Sequence, residues 1–140
     1  MVKQVQRIMQ RISYSFLITI IIPVYNTGRF LETALNSLFI QTIGWNNLQV
    51  IIVNDGSTDT SELIARKYQQ LFPDNILYVY QDNHRMSSAR NAGLKYIRGR
   101  YVTFIDSDDY WDKHALQILF TFFEIHYNET DIITGRMRFF

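Results

Sequence analysis

The sequence contains no cysteine, which excludes both a disulfide framework and a thiolate metal site. A chain without cysteine fits a reducing compartment, and we expect a cytoplasmic protein. The sequence also lacks an excess of either charge, because 14 basic residues are balanced by 13 acidic residues and the formal net charge is +1. Such a balance provides no general electrostatic attraction for nucleic acid, so we expect no nucleic-acid partner.

Long hydrophobic runs are absent as well. The longest apolar run, from Phe16 to Val24, is interrupted by Thr19 and Pro23 and falls far short of the roughly 20 residues that span a bilayer. It predicts a buried strand. With 140 residues, of which 47% are hydrophobic, the chain has the length and composition of a single globular domain.

Residues 1–15 form a basic amphipathic leader ahead of this domain. Its apolar residues recur at near-helical spacing, while its basic residues lie on another face: Val2, Val5, Ile8, Met9 and Ile12 against Lys3, Arg7 and Arg11. Such a segment can rest on an anionic membrane surface, which would give peripheral contact at the inner membrane. The alternative is a frayed leader or a small docking helix.

The rest of the chain alternates between strand and helix patterns. Strands are predicted at residues 16–24, 48–53, 76–80, 101–105 and 131–134. Helical spacing of apolar residues separates them, with Asn26 or Thr27 available to cap the first helix and Gly99 expected to close the third, at 87–97. This alternation predicts an α/β fold, with a mostly parallel sheet covered by helices on both faces.

Polar residues follow three of the predicted strands, and the carboxyl ends of parallel strands meet at one edge of a sheet. These residues are Tyr25, Asp55 and the pair Asp106 and Asp108. If the strand geometry continues, Asp106 and Asp108 point the same way and suit Mg²⁺ or Mn²⁺, which take further ligands from substrate phosphates. The alternative is a solvated acidic turn that caps the next helix.

Four motifs in this order resemble the family 2 glycosyltransferases of the GT-A fold: Pro23-Val-Tyr25-Asn26, Val53-Asn-Asp55-Gly-Ser-Thr-Asp59, Ala89-Arg90-Asn91-Ala-Gly93 and Asp106-Ser-Asp108-Asp109. The resemblance extends from about residue 18 to about residue 135. It implies a Rossmann-like GT-A fold, present as the N-terminal nucleotide-sugar-binding part. Residues 16–140 would then be a partial domain, truncated at the C-terminus.

The resemblance also implies roles for single residues. A nucleotide-sugar site would be formed by Pro23, Tyr25, Asp55, Asn83, Arg90 and Asp106. Pro23 and Tyr25 correspond to the segment that lines the base pocket, and Asp55 to the acid that holds the base or ribose. Arg90 would steady the diphosphate or organise nearby carboxylates.

For the metal, the resemblance implies Asp108 in direct contact and Asp106 at the ribose, at the metal or at a metal-bound water. One position departs from the family pattern. Arg85 stands where relatives usually place a glycine, so we expect the loop that contains Asn83 to approach a ligand less closely.

The activity implied by the resemblance is transfer of a sugar, with inversion, from a nucleotide-diphosphate donor to a hydroxyl group of a glycan or lipid-linked acceptor. The family favours a UDP-sugar, with Mn²⁺ or Mg²⁺ as cofactor, and a place in cell-surface polysaccharide biosynthesis. We name no catalytic base, because relatives carry this acid downstream of the metal motif and Glu124, Glu129 and Asp131 lack a supporting context.

Two alternatives to a complete enzyme remain at this point. A truncated sugar-nucleotide-binding module would bind the donor without turning it over, and a structural or membrane-docking α/β protein would bind neither nucleotide nor metal. An unpaired strand edge and the apolar Phe139-Phe140 end also predict self-association, which would make the protein a homo-oligomer.

Overall fold

The computed structural model describes residues 14–126, which form a four-stranded, entirely parallel sheet with helices on both faces. The strands are β1 (Phe16–Val24), β2 (Leu48–Asp55), β3 (Ile76–Gln81) and β4 (Gly99–Phe104). The helices are α1 (Gly28–Phe39), α2 (Ser61–Leu71), α3 (Met86–Leu94) and α4 (Ala115–Ile125), and a short 3-10 turn covers Trp45–Asn47. The strand order is β3-β2-β1-β4. The predicted α/β architecture is therefore confirmed.

The central strands β1 and β2 are apolar on both sides because each side packs against helices. On one face, alternate β1 residues such as Ile20 and Ile22 pack with Leu31 and Leu35 of α1, and residues of α2 and α4 complete that layer. On the other face, Ile21 and its neighbours in β2 pack under α3. The core therefore consists of two apolar layers separated by the sheet.

Gly99 differs from its predicted role. It was expected to close the third helix, but that helix ends at Leu94, and Gly99 is the buried first residue of β4, paired with Phe16. A Cβ atom at Gly99 would lie 2.5 Å from the backbone nitrogen of Thr19, so only glycine allows β4 to approach β1 this closely. The glycine is required for strand packing and not for a helix cap.

The first helix is capped from a distance. The side chains of Asn26 and Thr27 do not cap it; instead Asp59 Oδ2 accepts a hydrogen bond from the Gly28 N–H (2.9 Å), and Asp59 Oδ1 accepts one from the Ser61 N–H (2.9 Å). Partial burial alone would raise the pKa of Asp59, but the hydrogen bonds from Ser61 and Gly28 outweigh it and lower that pKa. One carboxylate thus ties together the starts of α1 and α2.

Two predicted segments lie outside the described residues. They are most of the basic leader, at residues 1–13, and the fifth strand, at 131–134. Within residues 14–126, no helix has both the length and the apolar character needed to cross a membrane.

Candidate functional site

A cleft of about 290 Å³ lies at the edge of the sheet where the strands end. Its lining comes from the ends of β1 and β2, from the segments that follow β1 and β4, from the loop before α3 and from α3 itself: Pro23, Val24, Tyr25, Thr27, Asp55, Asn83, Arg85, Met86, Ala89, Asp106, Ser107 and Asp108. The sequence predicted six of these as donor or metal residues, namely Pro23, Tyr25, Asp55, Asn83, Asp106 and Asp108. The fold brings these six together, although 85 residues separate Pro23 from Asp108 in the chain.

The first side of the cleft is the end of β1. Pro23 is buried. It lies two residues after Ile21, the last β1 residue that pairs with β4, so the missing N–H of the proline does not interrupt the hydrogen bonds between β1 and β4. Tyr25, two residues on, has half of its surface exposed. An exposed aromatic ring at the mouth of a cleft offers a flat apolar surface on which a planar group can pack.

Asp55 ends β2 and is almost fully buried, with 3% of its surface exposed. Its Oδ1 atom accepts two hydrogen bonds, from Gln81 Nε2 (2.6 Å) and from the backbone N–H of His84 (3.0 Å). Among residues 14–126, nothing donates a hydrogen bond to Oδ2. A buried carboxylate with one free oxygen, facing a cleft, is suited to accept a hydrogen bond from a ligand.

The loop between β3 and α3 forms the second side of the cleft. It lies close to Gly56, which has a φ of 75°. A Cβ atom at Gly56 would lie 3.0 Å from the backbone nitrogen of Asn83, so a side chain there would crowd the loop. Asn83 itself is exposed, and its Oδ1 accepts a hydrogen bond from the Arg85 N–H (3.3 Å). Arg85 has a φ of 74° and a ψ of 163°, a region that only glycine adopts without strain. The position keeps a glycine-like backbone despite its arginine side chain.

Asp106 is held by Arg90 of α3. The Arg90 Nη2 atom donates to Asp106 Oδ1 at 2.6 Å, and both side chains are partly exposed. Two roles were left open for Arg90, and this contact matches the second, in which the guanidinium organises a carboxylate. Arg90 does not line the cleft itself. Its contact leaves the second oxygen of Asp106 available for a ligand.

Asp106 and Asp108 line the same cleft, but the expected strand geometry does not hold. β4 ends at Phe104, and residues 107 and 108 form a turn in which the Asp109 N–H donates to the Asp106 carbonyl (3.0 Å). Ser107, buried between the two acids, makes a 2.7 Å hydrogen bond with the Thr27 hydroxyl. This bond fixes the turn against the start of α1.

The charges of this turn favour a cation. Partial burial, followed by the negative charges of Asp108 and Asp106, raises the pKa of Asp109. The described residues contain no group of three acidic or histidine side chains placed to hold a metal alone. Two carboxylates at one cleft do, however, fit Mg²⁺ or Mn²⁺, because these ions are usually bound by one or two carboxylates and substrate phosphates. The residues fit a cation that binds together with a phosphorylated ligand.

Sequence reasoning missed several contacts of the site. Thr27 and Ser107 were not assigned to it, and Arg85 was treated only as a departure from the family pattern. Ser107 could have been found from its place between the two acids, whereas Thr27 gives no local signal, because its partner lies 80 residues away.

Curated relatives of this chain include a teichoic acid biosynthesis protein and a glycosyltransferase. The chain is 44% identical over 121 residues to the minor teichoic acid biosynthesis protein GgaB of Bacillus subtilis, covering 86% of this chain and 13% of that protein. It is 40% identical over 118 residues to the glycosyltransferase GlyA of Streptococcus pneumoniae, covering 84% and 16%. The chain thus spans less than a fifth of the length of these two relatives.

Solved structures share the fold. Residues 1–349 of Staphylococcus aureus TarS, crystallised in complex with UDP-GlcNAc, match with a TM-score of 0.73 and 32% identity, over 80% of this chain and 32% of that one. The same protein in complex with UDP matches with a TM-score of 0.71 and 31% identity, over 80% and 33%. The predicted GT-A architecture is confirmed by these neighbours.

A family model covers most of the chain. The model described as glycosyl transferase family 2 matches residues 19–139, which include all four motifs from which the resemblance was drawn. This chain belongs to glycosyl transferase family 2.

Proposed function

We propose that this chain forms the donor side of a glycosyltransferase and binds a nucleoside diphosphate sugar in the cleft at the carboxyl ends of the strands. The observation that carries the proposal is the convergence of Tyr25, Asp55, Asp106 and Asp108 on one cleft. Ligands of open α/β sheets bind in this crevice. The likeness to TarS, which was crystallised with UDP and with UDP-GlcNAc, supports a sugar nucleotide as the ligand.

Different side chains bind different parts of the donor. The exposed ring of Tyr25 packs on the base, and the free Oδ2 of Asp55 accepts a hydrogen bond from the base or ribose. Asp106, oriented by Arg90, accepts from the ribose with the oxygen that Arg90 does not occupy. Pro23 and Asn83 complete the walls beside them.

Asp108, with Asp106, would hold Mn²⁺ or Mg²⁺ at the donor diphosphate. A divalent cation bound there supplies positive charge against the negative charge that builds on the leaving nucleoside diphosphate. The exposed carboxylate of Asp108 is the more accessible of the two, since Asp106 already pairs with Arg90.

The reaction we propose is transfer of the sugar to a hydroxyl group, with inversion, on a glycan or lipid-linked acceptor. The bond between the anomeric carbon and the diphosphate oxygen breaks, a bond from that carbon to the acceptor oxygen forms, and the acceptor proton passes to a base. We assign that base to no residue of this chain. The teichoic acid name of the B. subtilis relative supports a cell-surface polymer as the product.

A sugar-nucleotide-binding module without turnover is the second candidate. It is favoured by one observation, namely that none of the residues that line the cleft in the described part of the chain is assigned as the base for the acceptor proton. Both candidates predict donor binding in the same cleft, and they differ only in whether the donor is consumed.

The experiment is calorimetric titration of the chain with UDP, GDP and UDP-GlcNAc, with and without Mn²⁺. We expect Mn²⁺-dependent binding that weakens on the order of tenfold or more in Asp108→Ala. The control is Asp74→Ala, which removes an exposed carboxylate at the opposite edge of the sheet and is expected to leave binding unchanged.

Four outcomes separate the alternatives. Equal affinity of the wild type and Asp108→Ala would refute the metal assignment. Absence of binding by any sugar nucleotide would refute the donor site. Hydrolysis or transfer of the sugar would establish the enzyme, whereas binding without consumption of the donor would establish the binding module.

A further inference from the structure

Arg85 is a basic side chain in an acidic cleft, and it has no protein partner there. Three carboxylates line the cleft with it, those of Asp55, Asp106 and Asp108, and Arg85 is the only basic residue in that lining. Across residues 14–126, the Arg85 guanidinium forms no salt bridge or hydrogen bond. Its charge is therefore available to a ligand.

The other arginine near the site is already engaged. Arg90 donates to Asp106 at 2.6 Å and does not line the cleft. A nucleoside diphosphate in the proposed site would bring further negative charge to three carboxylates, and a divalent cation alone offsets only part of it. A second positive group is needed on electrostatic grounds, and Arg85 is the side chain in place to provide it.

The backbone at Arg85 is strained, which costs the folded protein stability. With φ 74° and ψ 163°, Arg85 occupies a conformation that is nearly exclusive to glycine. Residues with such strain concentrate at ligand-binding sites, where the surrounding structure enforces them. Two backbone N–H groups of the loop provide that enforcement here, because His84 donates to Asp55 Oδ1 and Arg85 donates to Asn83 Oδ1.

We infer that the Arg85 guanidinium binds the diphosphate of the donor. The backbone at this position keeps a conformation typical of glycine, and the arginine side chain adds a positive charge at the cleft. The planar, multi-donor guanidinium matches phosphate oxygens, including in a bidentate mode. The inference rests on the proposed function, because it assumes that the cleft binds a nucleoside diphosphate. It adds a residue that sets affinity for the phosphates and not for the base.

The test compares ligands with and without phosphate. In Arg85→Gln, which removes the charge but keeps an unbranched polar side chain, the dissociation constant for UDP in the presence of Mn²⁺ should rise about tenfold, while that for uridine should not change. Arg85→Lys, which keeps the charge, should lose less. UDP lacks the transferred sugar, so a loss seen with UDP excludes a group on that sugar as the one that Arg85 recognises.

Two further variants guard against trivial explanations. Arg98→Gln makes the same charge change near the opposite edge of the sheet and should leave UDP affinity unchanged. Arg85→Gly relieves the backbone, so it should bind UDP as weakly as Arg85→Gln although it folds at least as stably as the wild type. Weaker binding by a protein that is no less stable cannot result from unfolding.

The failures are distinguishable. If the wild type binds UDP and Arg85→Gln binds it equally well, the inference is overturned and the proposed function stands. If uridine loses affinity as much as UDP, or if Arg98→Gln weakens UDP binding as much as Arg85→Gln, the guanidinium is not at the phosphates. If the wild type binds no nucleoside diphosphate, the proposed function fails and the inference fails with it.

Discussion

At the scale of single residues, the cleft contains one backbone position that costs stability. The φ of 74° and ψ of 163° at Arg85 lie in a region that costs a non-glycine residue about 1–3 kcal/mol. Arg85→Gly removes this cost, and the greater entropy of glycine in the unfolded chain takes back about 0.5–1 kcal/mol. We therefore predict that Arg85→Gly raises the free energy of unfolding by about 1 kcal/mol, measured by urea denaturation. A lower free energy of unfolding would contradict the strained backbone.

Asp59 acts at a distance from the cleft, as a cap shared by two helices. Its two carboxylate oxygens accept from the Gly28 and Ser61 N–H groups, whereas an asparagine has only one oxygen. We predict that Asp59→Asn lowers the free energy of unfolding by about 1 kcal/mol at neutral pH, which is the usual contribution of a helix cap. Asp74→Asn, in an exposed turn, is the matched control and should have no effect.

The effect of Asp59→Asn also depends on pH, with a defined sign. Because the pKa of Asp59 is lower in the folded protein than its ordinary value of 3.8, the ionised form stabilises the fold. The difference in the free energy of unfolding between the wild type and Asp59→Asn should be fully present at pH values above 3.8. It should disappear as the pH falls through the lower pKa of the folded protein. Denaturation curves at several acidic pH values measure it, and a difference that persists at low pH would contradict the ionic cap.

At the scale of elements, the position of α3 on the sheet depends on a glycine. A Cβ atom at Gly93 would lie 2.6 Å from Ile21 Cγ2, in the middle of the buried β1 strand. We predict that Gly93→Ala lowers the free energy of unfolding by about 1–3 kcal/mol, because a buried methyl group without space forces the helix outward. Leu94→Ala, at an exposed position of the same helix, should change it by less than about 0.5 kcal/mol.

Displacement of α3 should also affect the cleft, since this helix carries Arg90 and follows the loop of Arg85. Gly93→Ala should therefore weaken UDP binding along with stability, and Leu94→Ala should change neither. Full affinity in a folded Gly93→Ala protein would show that the cleft does not depend on how closely α3 packs.

The elements were predictable from the sequence because their signals are local. Apolar runs and helical spacing gave the order of the strands and helices and the approximate bounds of β1 to β4 and of α3, and they placed Tyr25, Asp55 and Asp106 at one sheet edge. The details that depend on partners far away in the chain were not predictable. The Asp59 cap joins residues 31 positions apart, and the Thr27 to Ser107 bond joins residues 80 apart.

The same limit explains why the predictions for Gly99 and for the geometry of Asp106 and Asp108 were wrong. Gly99 was read as a helix end because a glycine after a helical pattern commonly terminates it. Its actual constraint, the approach of the Thr19 backbone, exists only in the folded sheet. Likewise, the turn at residues 107 and 108 replaces the predicted extended geometry. Ser107 is held in this turn by a hydrogen bond with Thr27, which lies 80 residues earlier in the sequence.

At the scale of the whole molecule, one face of α4 is exposed within the described part of the chain. Ile118, Phe122 and Ile125 follow one another at helical spacing on α4 and are 65%, 47% and 71% exposed. On the opposite face of the sheet, Val102 and Phe104 are exposed on β4, an edge strand of the described sheet. Exposed apolar surface of this kind invites association.

We predict that the 140-residue chain self-associates and that Ile118→Lys combined with Ile125→Lys shifts it toward single chains. Sedimentation velocity over a range of protein concentrations measures the change. Ile40→Lys, which adds one charge at an exposed isoleucine elsewhere, is the control and should leave association unchanged. A wild-type protein that stays monomeric at every concentration would contradict the prediction.

The central claim is that a nucleoside diphosphate and a cation meet at the carboxyl edge of the sheet. Paramagnetic relaxation by Mn²⁺, measured residue by residue in the NMR spectrum with and without UDP, tests this location directly. We predict UDP-dependent broadening of amide signals of residues 25–27, 55–57, 83–86 and 105–109, with signals near Asn75 and Lys95 at the opposite edge unaffected. Broadening centred on that opposite edge, or none that depends on UDP, would contradict the claim.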